Sequence, residues 1–188
     1  GNTREALKKS LENLGLDYVD LYLIHWPAEG YVEAYLEMEK LQKEGLTRSI
    51  GVSNFRKSHL QNLLSKVHIV PSINQIETNP QMVDEETIQY CKENKIGVEA
   101  WSPLGSGACL NNPKIQEIAN KYQKSSAQII LRWLLQKGIV ILPKSVHENR
   151  IKENIDLFNF VLENEDVELI NQLNQHKRTG PDPDNFDF

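Results

Sequence analysis

Leu21-Tyr22-Leu23-Ile24-His25-Trp26-Pro27 is the stretch of sequence that decides the fold. Its first four residues suit a β-strand, and a histidine, a tryptophan and a proline follow them. The proline has no N–H group and cannot donate a hydrogen bond to a neighbouring strand. A titratable side chain at the end of an apolar strand is typical of a barrel enzyme, whose chemistry lies at the carboxyl ends of its strands. His25 is therefore the first candidate catalytic residue.

Further β-rich runs follow this one and alternate with helical patterns. Strands are predicted at residues 19–25, 48–52, 72–76, 97–101 and 139–143. This alternation is typical of βαβ units and a parallel sheet. No Gly-x-Gly-x-x-Gly motif follows a strand, which argues against a Rossmann domain. We therefore predict an α/β chain of the (β/α)8 TIM-barrel type, with about five of eight units in residues 1–188, because a complete barrel has about 250 residues.

Composition sets further limits on function. The chain has 188 residues, of which 39% are hydrophobic and 25% charged, and its net charge is -5. These values suit one core and indicate neither a nucleic-acid partner nor a membrane partner. Cys91 and Cys109 lack metal-ligand spacing and are interpreted as reduced thiols, so we expect a cytoplasmic protein without a metal.

A cluster of basic and polar residues follows the last predicted strand. Lys144 and Ser145 end that strand, a helix is predicted to start immediately, and Arg150 lies within it. Backbone amides at a helix start favour phosphate, and an arginine can bind a phosphate through two hydrogen bonds. A solvated basic helix start is an equally acceptable interpretation of these residue types.

Two other strand ends carry groups suited to a nucleotide. Trp101 precedes the small-residue loop 102–107, whose amides could surround a pyrophosphate, although a turn beside a core tryptophan is the preferred interpretation of these residues by themselves. Ser53, Asn54 and Gln75 end neighbouring strands and offer the donors and acceptors that a carboxamide needs. The alternative for Ser53 is a helix cap for a helix starting near Arg56.

Taken together and in this order, these sites resemble the aldo-keto reductase family over essentially the whole chain. The matching stretches are Leu16–Pro27, Ser49–Phe55, Ile73–Glu77, Glu99–Gly105 and Leu142–Ser145. Within the family, the short segment between Trp26 and Tyr31, Trp101 itself and the ending Gly180-Pro181-Asp182-Pro183-Asp184 are similar to bacterial reductases of diketogluconate or glyoxal-type carbonyls. The extended tail to Phe188 is predicted to be anchored by Phe186 and Phe188.

The resemblance implies an NADPH-dependent oxidoreductase that reduces aldehydes and ketones to alcohols, with residues 1–188 forming strands four to eight of the family barrel and its tail. His25 would orient the substrate carbonyl, and Trp26 would form a wall of the substrate pocket. The implied cofactor-binding residues are Ser53, Asn54 and Gln75 for the nicotinamide carboxamide, Trp101 for the nicotinamide ring, Ser102, Leu104 and Ser106 for the pyrophosphate, Lys144, Ser145 and Arg150 for the 2′-phosphate, and Glu153 and Asn154 for the adenine.

The resemblance also implies residues that this chain does not supply. The family's catalytic aspartate, tyrosine and lysine precede the stretch that the chain covers, and none of its tyrosines occupies the position of the acid. We expect this chain to be a truncated form of a reductase or a natural short form. In either case, it is expected to be weak or inactive alone and to self-associate through open barrel edges.

Two alternatives to the enzyme remain open. One is an NADP(H)-binding or interaction module without turnover. The other is an unrelated phosphate-binding barrel, such as an isomerase or lyase, in which His25 is an acid or base; it would require the motif matches to be accidental.

Overall fold

The computed structural model describes residues 2–186, so the predicted anchor Phe188 lies outside the described residues. Strands and helices alternate along most of the described chain. The elements are α1 (Thr3–Leu14), β1 (Val19–Ile24), α2 (Tyr31–Lys43), β2 (Thr47–Ser53), α3 (Lys57–Leu64), β3 (Ile73–Glu77), α4 (Glu85–Glu93), β4 (Gly97–Trp101), a 3-10 turn (Gly105–Gly107), α5 (Pro113–Tyr122), α6 (Ser126–Gln136), β5 (Val140–Ile141), α7 (Glu148–Ile155) and α8 (Asn164–Asn171).

The first of two compact units comprises residues 2–75 and 86–97. Its strands β1, β2 and β3 are parallel and adjacent in chain order, with Leu23 opposite Gly51 and Val52 opposite Asn74. A Cβ atom at Gly51 would lie 2.7 Å from the Ile73 carbonyl oxygen and 2.8 Å from Leu23 Cδ2. Only a glycine therefore fits at this position of β2, between its two neighbouring strands.

Helices α1 and α2 of this first unit bury apolar faces against each other. Leu7 and Leu11 of α1 pack with Leu41 of α2 in a buried cluster. Gly45 follows α2 at φ 81°, the left-handed backbone that commonly ends a helix.

The second unit comprises residues 76–85 and 98–186. Its strands β4 and β5 are parallel, with Glu99 opposite Val140. Helix α5 packs on α6 and α8. The fully buried Trp133 of α6 donates from Nε1 to Asn171 Oδ1 of α8 over 2.9 Å, so the largest core side chain of this unit also has its polar atom satisfied.

Helix α6 begins with a side-chain cap. The Ser125 hydroxyl accepts the Gln128 N–H over 3.2 Å, and the Gln128 side chain accepts the Ser125 N–H over 3.1 Å, which is a reciprocal capping box. Gly138 follows the helix at φ 74°.

Several predicted boundaries are wrong for local reasons. Strand β5 spans only residues 140–141 rather than 139–143, because the Ile139 N–H bonds to the carbonyl of Leu134 in α6 and Pro143 has no N–H. Helix α7 starts at Glu148, not directly after Ser145, because the Ser145 hydroxyl accepts the His147 N–H over 3.1 Å in a turn before the helix.

The chain therefore has the parallel β/α organisation predicted from its sequence. None of the helices that the structure describes is long and apolar enough to cross a membrane.

Candidate active site

His25 lies directly after β1, which ends at Ile24, one residue earlier than predicted. Its side chain is exposed, and its ring centroid lies 6.1 Å from that of the half-buried Trp26, with the two planes tilted by 58°. The predicted carbonyl-orienting histidine and the predicted pocket wall are therefore neighbours beyond the carboxyl end of a strand, where barrel enzymes carry their chemistry.

Ser53, Asn54 and Gln75 form a connected polar group in the same unit. The backbone carbonyl of Gln75 accepts hydrogen bonds from the Ser53 hydroxyl over 2.8 Å and from the Asn54 N–H over 2.9 Å. Asn54 Nδ2 donates to the His25 carbonyl over 3.0 Å and to Ser53 Oγ over 3.2 Å. Both Ser53 and Asn54 are buried, so their orientation is fixed before any ligand arrives.

Ser53 does not cap the helix that follows it, which was the alternative role predicted for this residue. Helix α3 begins at Lys57, and the N–H of Arg56 bonds to His59 Nδ1 over 3.1 Å, while Ser53 bonds to the neighbouring strand. Asn54 adopts φ 62°, a left-handed backbone that asparagine tolerates better than most residues, and this turn carries its side chain to the end of β1.

In the second unit, Trp101 is the last residue of β4 and is half-buried. The loop after it is tightly turned: Ser102 and Ser106 adopt φ values of 48° and 54°, and Ser102 Oγ accepts the Ser106 N–H over 3.1 Å. The N–H groups of Gly105 and Gly107 also bond to carbonyls within the loop, so the donors that the loop presents to a ligand are the hydroxyl groups of its two serines.

A cleft of about 770 Å³ lies within this second unit, in the size range of small-molecule and cofactor sites. The structure brings together around it all eight residues predicted to contact the pyrophosphate, the 2′-phosphate and the adenine. They are Ser102, Leu104, Ser106, Lys144, Ser145, Arg150, Glu153 and Asn154.

Lys144 and Arg150 bring positive charge to the cleft and are both exposed at its surface. They reach it from different elements, Lys144 from the segment after β5 and Arg150 from the first turn of α7. Two cations beside serine hydroxyl groups form a donor set suited to a phosphate, so the residues present fit the nucleotide that the family implies.

Three tyrosines of the chain have a shifted pKa, and in each of them the pKa is raised. Burial raises the pKa of Tyr22, and burial together with the nearby Glu39 carboxylate raises that of Tyr35. Burial and a hydrogen bond to Asp166 raise the pKa of Tyr122. A raised pKa makes a phenol a weaker acid, which is the opposite of what protonating a carbonyl requires.

Sequence reasoning missed one group near the site. Glu77, the last residue of β3, bonds through its carboxylate to the tail at Thr179, which lies 102 residues further along the chain. The sequence did offer one signal for Glu77, which is a polar residue at the end of a strand. It offered no signal for the partner Thr179, because the two residues are too far apart along the chain.

The alternating parallel strands and helices, with polar residues at the ends of the strands, define a chain of the β/α-barrel class. The family model described as the aldo/keto reductase family matches residues 1–175, and the chain belongs to this family.

Named relatives agree with this assignment. The chain is 53% identical to the uncharacterized oxidoreductase YtbE of Bacillus subtilis over 187 residues, which cover 99% of the chain and 67% of that protein. It is 50% identical to the glyoxal reductase of Bacillus subtilis, covering 99% of the chain and 68% of that protein. The chain thus spans about two thirds of these relatives.

A similar solved structure is that of a Bombyx mori aldo-keto reductase in complex with NADP. It matches with a TM-score of 0.90 and 41% identity, covering 97% of this chain and 66% of that chain.

Proposed function

We propose that the protein carrying this chain reduces small, reactive aldehydes and ketones, of the dicarbonyl type represented by glyoxal, to alcohols with NADPH. The observation that carries the proposal is that all eight residues assigned to the phosphates and adenine line the same cleft. The glyoxal reductase relative supports the substrate class, and the NADP complex of a similar structure supports the cofactor.

The residues of the chain would bind and orient the two reactants. When bound, NADPH supplies the hydride. In the first unit, Ser53, Asn54 and Gln75 would hold the carboxamide of the nicotinamide, and His25 would donate a hydrogen bond to the substrate oxygen beside Trp26. In the second unit, Trp101 would stack on the nicotinamide ring, and the cleft residues would hold the phosphates and adenine. Orientation of this kind is a large part of catalysis by proximity.

The general acid is assigned to no residue of this chain. The raised pKa values of Tyr22, Tyr35 and Tyr122 support this part of the proposal. We therefore expect residues 1–188 alone to bind NADPH without measurable turnover.

The test follows NADPH oxidation with methylglyoxal in that protein and in its His25→Asn variant. Loss of the oriented donor is expected to lower kcat about 100-fold, the usual cost of a misplaced reactant. His176→Asn is the matched control, since His176 is exposed and lies outside the candidate site, and it should leave kcat unchanged. NADPH binding without turnover in the parent protein would indicate a binding module instead, and absence of both would refute the proposal.

We also propose that the isolated chain self-associates with a second copy of itself. Support comes from the apolar side chains on and after α7: Ile151, Ile155 and Phe158 are 53%, 72% and 75% exposed. These three side chains line one groove, and an exposed apolar groove commonly marks an interaction site. Light scattering on material whose intact mass equals this chain should detect a species larger than a monomer, and Ile155→Lys should shift it toward the monomer. A monodisperse monomer of the unmodified chain would contradict the expectation.

A further inference from the structure

Glu77 is a buried carboxylate, 2% exposed, at the end of β3, and neutral groups donate to it. Its Oε1 accepts the Thr179 N–H over 2.7 Å and the Thr179 hydroxyl over 2.5 Å. Its Oε2 accepts the Gly180 N–H over 3.4 Å, and Asn79 Nδ2 lies 3.5 Å from Oε1. A buried carboxylate needs several donors, and the tail provides most of these.

The tail residue next to this contact lies against Trp101. A Cβ atom at Gly180 would overlap Trp101 Cη2 and would lie 3.2 Å from Cζ3 and 3.3 Å from Cζ2. Only a glycine permits this approach of the tail backbone to the indole edge. The bonds from Glu77 to Thr179 and Gly180 therefore hold the backbone in contact with the ring.

The loop 102–107, which is predicted to bind the pyrophosphate, also contacts Thr179. Ser102 Oγ lies 3.3 Å from Thr179 Oγ1 and also accepts the Ser106 N–H. Thr179 thus lies between the carboxylate of Glu77 and the first residue of the loop 102–107.

The approach of the tail to this point is also fixed. The Asn174 side chain accepts the Val83 N–H over 3.1 Å and donates to the Val83 carbonyl over 2.9 Å. The Gln81 carbonyl accepts the N–H groups of Gln175 and Lys177. Each of these residues belongs to the same compact unit as Glu77 and Trp101.

We propose that Glu77 is a positioning residue whose contact with Thr179 and Gly180, the tail clamp, fixes the Trp101 ring as the stacking surface for the nicotinamide. The inference rests on the proposed function, since it gives Trp101 the nicotinamide as its ligand. It adds a role for two tail residues and a buried carboxylate that do not themselves contact the cofactor.

The test compares two ligands in the protein that carries this chain, by calorimetric titration. NADPH contains the nicotinamide, whereas adenosine 2′,5′-bisphosphate contains only the adenosine and phosphate end. Thr179→Val removes the hydroxyl and keeps the shape of the side chain, and Glu77→Gln removes the charge. We expect both variants to raise the Kd of NADPH about tenfold, the size typical of losing a hydrogen bond to a charged group. The Kd of adenosine 2′,5′-bisphosphate should stay unchanged.

Thr179→Ser keeps the hydroxyl and should restore wild-type NADPH binding. Gln175→Ala is the matched control: it removes an exposed side chain of the same tail but keeps the backbone N–H that bonds to Gln81, so it should affect neither ligand. An equal loss for both ligands would indicate general loosening and overturn the proposal, as would unchanged NADPH binding in Thr179→Val and Glu77→Gln.

A ligand-free measurement separates failure of this inference from failure of the proposed function. Acrylamide quenching assigned to Trp101, by subtraction of a Trp101→Phe variant, should increase in Thr179→Val and not in Gln175→Ala. If wild-type protein did not bind NADPH, the proposed function would fail, but this quenching would still decide whether the tail clamp holds Trp101.

Discussion

Replacing Lys144 and Arg150 together with alanine is expected to remove most of the preference of the protein for NADPH over NADH. The two cofactors differ only in the 2′-phosphate, and these two side chains bring positive charge to the cleft. A hydrogen bond to a charged group contributes about 1.5–3 kcal/mol, which corresponds to roughly a 10- to 100-fold change in affinity for each contact. NADPH binding should therefore weaken by about 100-fold or more in the double variant, and NADH binding should barely change.

The single variants should each show part of this loss, and their effects need not add, since both side chains would contact one phosphate. Because Lys144 and Arg150 are exposed, the preference of the wild type should also fall as salt screens the charges. Kd values for both cofactors at low and high ionic strength measure this directly.

Lys152→Ala is the matched control for this experiment. Lys152 lies on the same helix, α7, but its ammonium group bonds to Glu148 over 2.7 Å, and it does not line the cleft. The Lys152→Ala substitution removes one positive charge near the cleft without removing a predicted phosphate contact. The preference of this variant for NADPH over NADH should therefore match that of the wild type. Equal losses of NADPH and NADH affinity in the double variant would count against the 2′-phosphate assignment.

The parallel β/α organisation could be predicted from the sequence because its signals are local. An apolar strand followed by a polar residue, as at Ile24 and His25, needs only a few neighbouring residues to be recognised. The signal for the cap of α6 is equally local, because a serine three residues before a glutamine, as at Ser125 and Gln128, is typical of a capping box. The boundaries of β5 could not be predicted, because they depend on a hydrogen bond from Ile139 back to the preceding helix.

Hydrogen bonds between distant elements were outside the reach of sequence reasoning. The alternative role of Ser53 as a helix cap is wrong because the hydroxyl bonds to Gln75 on the adjacent strand. Helix α8 was not predicted, since its apolar pattern is weak. Its buried Asp166 instead bonds to Lys121 over 2.8 Å and to the Tyr122 hydroxyl over 2.6 Å. Such pairings depend on the fold, as does the buried contact of Glu77 with the tail.

Glu39→Ala is expected to destabilise the first unit strongly, because this carboxylate is buried and accepts bonds from the backbone. Glu39 lies on α2, is 4% exposed, and its Oε1 accepts the N–H groups of His68 and Ile69, each over 2.7 Å. Its Oε2 lies 3.1 Å from His68 Nδ1. Removing the carboxylate leaves two backbone donors without this acceptor, at about 1–3 kcal/mol each. We expect the free energy of unfolding to fall by about 3 kcal/mol, measured by urea denaturation.

The same contact makes stability depend on pH. Burial alone would raise the pKa of Glu39, but the bonds from Ile69 and His68 outweigh it, so the pKa lies below the usual value for glutamate, about 4.3. The folded state therefore holds this proton less tightly than the unfolded state does. Stability from the ionised carboxylate is present above the unfolded pKa and is lost as pH falls through the folded pKa.

Glu39→Gln isolates this titration, because glutamine keeps an oxygen acceptor and cannot ionise. The difference in unfolding free energy between wild type and Glu39→Gln should be constant near neutral pH and should shrink below about pH 4, as the wild-type carboxylate becomes protonated. Glu33→Gln, at an exposed position of the same helix, should stay within about 0.5 kcal/mol of wild type across that range. A difference for Glu39→Gln that did not change with pH would show that the shape of the side chain, rather than its charge, holds the segment at His68 and Ile69 against α2.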